Sequence, residues 1–282
     1  MTRKRQAGSL VVAAILILTA GSVQAADPET LQIEGSTTVG PIALAFAEAF
    51  MKERPGVSIT VKQTGSGDGA AALVDGRCDI ATMSRFMKEK EFKAAVARTP
   101  MAVLPVAHVV AMDGVCIIVH ASNPVAALTT EQIRKVYKGE VTNWNQLGGV
   151  DAPVVAITRD TSSGTFETFH KLVMNKEKMI DKVETVGSNP QAYQRVKSTP
   201  GAMAYVGLGF VKEGVKAVKV DGVLPTARAI ASGTYPVARP LFMVTNGYPK
   251  LGSLAHAFVT FHLSEKGHDI VDEKGFVPVT EY

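Results

Sequence analysis

Arg159 stands four residues before Ser163-Gly164-Thr165, and Phe166, Phe169, Leu172 and Val173 follow at helical spacing. With Val154 to Ile157 ahead of it, the stretch reads as strand, turn, then helix N-terminus. Such a turn gathers unpaired backbone N–H groups, hydroxyls and the positive end of a helix dipole around one point. A guanidinium fork beside it suits that point to a small tetrahedral oxyanion. The stretch holds no base, thiol or metal ligand, so its residues are equipped to hold an anion and not to transform one.

Two further Gly/Ser/Thr turns precede helices, at 35–38 and 65–69. Three ordinary helix caps would look the same, because Ser and Thr are common N-caps. In an open α/β sheet, however, such turns lie at the carboxyl ends of strands, where ligands bind. Other chemistries fail on spacing. Gly65-Ser66-Gly67-Asp68-Gly69 lacks the last glycine of a dinucleotide fingerprint, and no Gly-Lys-Ser/Thr follows for a P-loop. His256, His262 and His268 are six apart and scatter round a helix, which speaks against a metal site. Ser163 lies in no Gly-x-Ser-x-Gly elbow and has no evident histidine partner. No catalytic residue, metal or cofactor is expected.

The elements that would position these turns alternate. Strands are expected over Leu31–Ile33, Val57–Val61 and Cys78–Met83, with helices over Pro41–Lys52, Ala70–Val74 and Lys88–Ala97. This βαβαβ order means a parallel sheet. Apolar runs at Val106–Met112 and Val115–Val119 are split by Asp113-Gly114. Thr129–Tyr137 reads as a helix whose Thr129 cap and Gln132 form a capping box. Gln191–Val196 is helical and Ala202–Val206 a strand. Tyr235–Pro240 is extended by its prolines, Leu241–Thr245 is a strand, Leu251–Leu263 an amphipathic helix, and Gly267–Val271 a further turn.

The chain has 282 residues, with 30 Lys+Arg against 26 Asp+Glu. Residues 1–25 read as a cleaved export signal: Arg3, Lys4 and Arg5, an apolar stretch from Leu10 to Ala20, then Val23-Gln24-Ala25. That leader holds three bases and no acid, so the formal +4 of the whole chain falls by three to +1. No basic field for nucleic acid remains. Export permits a disulfide between Cys78 and Cys116, but each lies in an apolar strand-like run and also reads as a small buried residue.

Taken in order, the motifs match a family. Gly35-Ser36-Thr37-Thr38-Val39-Gly40-Pro41, Thr64-Gly65-Ser66-Gly67, Asp79 to Arg85, Gly139 to Trp144, Arg159 to Thr165 and Gly201 to Gly207 together resemble the periplasmic phosphate-binding proteins, the receptors of the phosphate-specific ABC importer. The resemblance implies a type II periplasmic-binding-protein fold of class α/β: two lobes, each a mixed sheet flanked by helices, joined by two extended hinge crossings. The crossings fall near Met112–Asp113 and Tyr235–Pro240, giving one lobe of 26–112 and 236–282 and another of 113–235. It further implies that the ligand is inorganic phosphate, held by Thr37, Thr38, Ser66, Ser84, Arg159, Ser163, Gly164 and Thr165. The partner would be an ABC permease at the inner membrane, the location the periplasm, and the receptor a monomer.

One position departs from the pattern. Ser84 stands where many members carry an aspartate that accepts the proton of monohydrogen phosphate and repels sulfate. Asp68, two residues past Ser66, is a candidate replacement acceptor, and its other reading is as a helix-dipole complement. Arg85 is either a second cation for the ligand or part of a salt bridge, and Asp160 is expected to orient Arg159. Sulfate, molybdate or tungstate receptors, an exported phosphohydrolase and an anion sensor are the competing functions.

Overall fold

A computed structural model of the protein describes residues 29–98 and 103–280, so the expected leader lies outside the described residues. The first half of the sheet is built from β1 (Glu29–Gly35), β2 (Val57–Gln63) and β3 (Ile80–Met83), linked by α1 (Gly40–Glu53) and α2 (Ser66–Val74) and followed by α3 (Glu89–Arg98). These three strands are parallel, as the βαβαβ pattern requires. The long β4 (Pro105–His120) follows, then the short β5 (Ala127–Leu128) and α4 (Thr130–Lys138). The Thr129–Gln132 capping box expected at the start of α4 is present.

Next come β6 (Val155–Arg159), α5 (Gly164–Leu172), β7 (Glu184–Val186), α6 (Asn189–Lys197) and β8 (Ala202–Gly207). After β9 (Val215–Ala217), β10 (Lys219–Val220) and α7 (Ala227–Ala231), the chain returns through β11 (Ala238–Asn246) and closes with α8 (Leu254–Thr260) and α9 (Glu265–Glu273). The described residues form a nine-stranded sheet in the order β2-β1-β3-β11-β4-β8-β6-β7, with β9 added to β4.

The two apolar runs around Asp113-Gly114 are one strand and not two. The split marks an exchange of partners: Pro105 to Gly114 pair with β11, while Val115 to Val119 pair with β8. β11 is the second strand to cross this point, and its register with β4 sets Arg239 opposite Asp113.

One face of the sheet carries a continuous apolar layer to which α1 (Phe46), α6 (Ala192, Val196), α8 (Phe258) and α9 (Val271) contribute. The other face is covered in two pieces. α2 packs Ala70 and Leu73 against β3 and β11, and a separate cluster joins Val136, Tyr137, Trp144, Phe169 and Ile230. Cys78 and Cys116 are buried, unbridged and in different clusters, so the disulfide reading does not hold.

Candidate functional site

The three Gly/Ser/Thr turns meet. Each leaves the carboxyl end of a strand, and together with Ser84 and Arg159 they form a small, tightly walled cavity lined by Ser36, Thr37, Thr38, Gly65, Ser66, Ser84, Arg159, Ser163, Gly164 and Thr165. Every site residue expected from sequence, Asp68 excepted, therefore lines one small cavity. The N-termini of α2 and α5 open directly onto it, adding partial positive charge.

Close approach dictates the glycines. Gly65 sits at φ 137°, where an L side chain is strained, and a Cβ there would lie 2.5 Å from Ser162 Oγ. A Cβ on Gly164 would lie 2.5 Å from the hydroxyls of both Ser66 and Ser84. The walls are also bonded directly: Gly67 N–H donates to the Ser162 carbonyl at 2.9 Å, and the hydroxyls of Thr38 and Thr165 are 3.0 Å apart.

Arg159 carries the charge of the cavity. It is 2 % exposed. Its Nε donates to the Val186 carbonyl at 3.1 Å and its Nη2 to the Gly187 carbonyl at 2.8 Å. Asp160 Oδ2 lies 3.5 Å from Nη2, which fits the orienting role expected of it. Nη1 is buried and has no hydrogen-bond partner. Burial pushes the guanidinium pKa down, and Asp160 is the main influence pulling it back. A buried donor with no acceptor is costly, and a charged one more so. The cavity is thus built to receive a negatively charged acceptor.

The hydroxyls are held in place by other groups. Ser36 Oγ accepts from the N–H groups of Thr38 and Val39, so the Thr38 amide is already engaged. Ser163 Oγ caps α5 by accepting from Phe166 N–H. Ser66 Oγ accepts from Ser84 N–H at 3.0 Å and lies 3.3 Å from Ser84 Oγ.

Asp68 and Arg85 do not reach the cavity. Asp68 is exposed on the first turn of α2. Its Oδ2 folds back to within 3.1 Å of where a Cβ on Gly65 would stand, yet Asp68 is not among the residues that line the cavity. Its place in the first turn of α2 fits the dipole role. Arg85 turns outward from Ser84 and forms a two-bond fork with Glu91 at 2.8 and 2.7 Å. Its Nε lies 3.2 Å from Glu167 of α5, and Lys88 lies 2.7 Å from the same carboxylate. Arg85 is an ion-pair residue beside the cavity and not a second cation within it.

Three buried polar residues were not singled out from sequence. Asp113 is fully buried, and Arg239 is 4 % exposed. Arg239 donates to Asp113 through Nε at 3.0 Å and Nη2 at 2.8 Å, and to the Ser84 carbonyl through Nη1 at 3.0 Å. Burial pushes the Asp113 carboxyl above its usual range, against the pull of Arg239. Asn189, the first residue of α6, is fully buried beside Thr37 and Thr38. A lone charge inside each of two apolar strand-like runs was the available signal for Asp113 and Arg239. Asn189 in Ser188-Asn189-Pro190 looks like any helix start.

Comparison with known proteins agrees with this geometry. Residues 21–266 match the model of the PBP superfamily domain. The phosphate-binding protein PstS of Bacillus subtilis is 32 % identical over 254 residues, covering 89 % of this chain and 81 % of that protein. The protein of the same name from Borreliella burgdorferi is 30 % identical over 260 residues, covering 88 % and 90 %. Among solved structures, a Clostridium perfringens protein described as a phosphate ABC transporter substrate-binding protein, with phosphate bound, superposes with a TM-score of 0.82 at 34 % identity. That match covers 89 % of this chain and 100 % of the other. An ABC-type phosphate transport receptor from Vibrio cholerae gives a TM-score of 0.70 at 31 % identity, covering 88 % and 99 %. The chain belongs to the PBP superfamily and, within it, to the family of phosphate-binding proteins.

Proposed function

We propose that the protein captures inorganic phosphate in the cavity between its three turns and hands it to an ABC importer. The observation that carries this reading is Arg159 Nη1, a buried cationic donor without a partner, set among hydroxyls and helix N-termini. Thr37, Thr38, Ser66, Ser84, Ser163, Gly164 and Thr165 would complete the hydrogen bonds that a dehydrated anion requires. At roughly 1.5–3 kcal/mol for each bond to a charged group, a handful suffices for the ~8 kcal/mol of micromolar binding.

The mechanism is capture and release. Residues 26–112 and 236–282 form one lobe and 113–235 the other, a division supported by the change of partners in β4 between Gly114 and Val115. The bonds between Thr38 and Thr165 and between Gly67 and Ser162 then run from lobe to lobe and belong to the closed state. The protein works outside the cytoplasm after removal of residues 1–25, as a monomer that docks on its permease. Among the described residues no helix is long and apolar enough to cross a membrane. A hydrolytic reading would need a base beside Ser163, and no histidine or carboxylate is among the residues lining the cavity.

A second reading, a broader tetrahedral-oxyanion receptor, has one observation in its favour: no carboxylate lines the cavity. Isothermal titration of the purified protein with phosphate and then sulfate decides between them. Micromolar or tighter phosphate binding with weaker sulfate binding is expected. Equal affinities would move the assignment to oxyanions in general, and binding of neither would remove it.

A further inference from the structure

Asn189 and Arg239 touch the cavity's hydroxyls from behind. The orientation of the Asn189 amide is fixed by Gly207, whose N–H can only donate and lies 3.3 Å from Oδ1. The NH₂ group therefore faces the threonines, donating to Thr37 Oγ1 at 3.1 Å and Thr38 Oγ1 at 2.9 Å. Arg239 Nη2, with one hydrogen on Asp113, directs the other at Thr165 Oγ1 at 3.0 Å and Thr38 Oγ1 at 3.4 Å.

A hydroxyl has two lone pairs and one proton. Thr38 Oγ1 receives from Asn189 and Arg239, so in its 3.0 Å contact with Thr165 it must be the donor. Thr165 Oγ1 then receives from Thr38 and Arg239, and its own proton is left for the cavity. Thr37 Oγ1 receives from Asn189 and likewise retains its proton.

We infer that Asn189 and Arg239 are positioning residues that fix the direction of these protons, so that Thr37 and Thr165 serve the anion as donors and not as acceptors, while Thr38 spends its proton on Thr165 and has no lone pair left to offer. The inference rests on the anion-binding reading of the cavity. Because Arg239 is paired with buried Asp113, it contributes direction and little net charge. A cavity lined this way favours an anion with few protons of its own, since each P–OH needs an acceptor. For phosphate that is the dianion.

The test is isothermal titration with inorganic phosphate at about pH 8 and about pH 6, on either side of the second ionisation of a phosphate group. Wild type, Asn189→Leu and Arg239→Lys are compared, after thermal unfolding without phosphate has shown that each is folded. Leucine has the branched outline of asparagine, with bulkier methyl groups, and donates nothing, which releases the lone pairs on Thr37 and Thr38 that Asn189 occupies. About tenfold or greater weakening is expected for Asn189→Leu at the higher pH, with the deficit shrinking several-fold at the lower pH, where monoanion protons find the released lone pairs. The charged groups around the threonines, Arg159, Arg239, Asp113 and Asp160, are common to wild type and Asn189→Leu and cancel in that comparison. A deficit equal at both pH values would show a merely structural role, and no deficit would show no role; either overturns the inference. If Asn189→Leu does not fold, Arg239→Lys, which keeps a cation beside Asp113, carries the same two-pH comparison. Wild type without phosphate affinity would instead sink the proposed function.

Discussion

Two buried arginines bear on one cavity, Arg159 lining it and Arg239 standing behind its Thr38 and Thr165 hydroxyls, and their surroundings differ. Arg239 meets a carboxylate, Asp113, through two short bonds, and each of its terminal nitrogens has a partner. Arg159 meets two backbone carbonyls, keeps Asp160 at 3.5 Å and leaves Nη1 unpartnered. Burying a charge costs several kcal/mol unless it is paired. Around Arg239 the protein supplies the pairing itself. Around Arg159 it leaves the pairing to something that enters. An unfilled donor alone does not set Arg159 apart, since Arg85 Nε is also buried without a hydrogen bond; Glu167 stands 3.2 Å from that nitrogen, whereas Arg159 Nη1 faces a cavity lined by no carboxylate.

The sharpest way to break this contrast is to remove the unpaired charge. Arg159→Met is expected to weaken phosphate binding by about 100-fold or more, the equivalent of ~3 kcal/mol. In the same variant phosphate should no longer raise the unfolding temperature, because stabilisation by a ligand follows its affinity. Near-native affinity in a calorimetric titration would mean that the cavity lies elsewhere.

A smaller effect is expected from crowding the space that Arg159 faces. Gly164→Ala places a methyl group 2.5 Å from the Ser66 and Ser84 hydroxyls, which must move apart. Overpacking of this kind costs about 1–3 kcal/mol, or roughly 10-fold in affinity. Solution scattering with saturating phosphate should show incomplete compaction relative to wild type, and full compaction would argue against so close an approach.

The smallest effect belongs to Glu167, the partly exposed partner of a third arginine, Arg85. Glu167 is about a third exposed. Exposed pairs are worth roughly 0–1 kcal/mol and are screened by salt. Glu167→Gln should therefore shift the phosphate dissociation constant by no more than a few-fold, and the shift should vanish in about 1 M salt. A large, salt-independent shift would make the outer ion pairs part of the binding site.

The legible part of this molecule was its local part. Each turn, with its following helix, is written in a short run of sequence, so Thr37, Ser66 and Ser163 to Thr165 could be read directly. Arg159 sits four residues from its turn and came with it. Arg239 and Asp113 are 126 residues apart, and only the register of β11 on β4 makes them a pair. Asn189, at the start of α6, meets Thr38, in the turn after β1, from 151 residues away. Asp68 stands outside the cavity lining although it is only two residues from Ser66, and Arg85 is held in ion pairs with Glu91 and Glu167 while its neighbour Ser84 lines the cavity. The Asp113-Gly114 break was read as the end of a strand because partner exchange within one strand leaves no separate mark in the sequence.

The contrast between the two arginines reduces to one observation, a crystal structure of the protein grown with phosphate. A phosphate oxygen about 3 Å from Arg159 Nη1, with the Thr37 and Thr165 hydroxyls donating to the ion and Arg239 still paired to Asp113, is the predicted result. Phosphate bound outside this cavity, or held by Arg239 after release from Asp113, would contradict it.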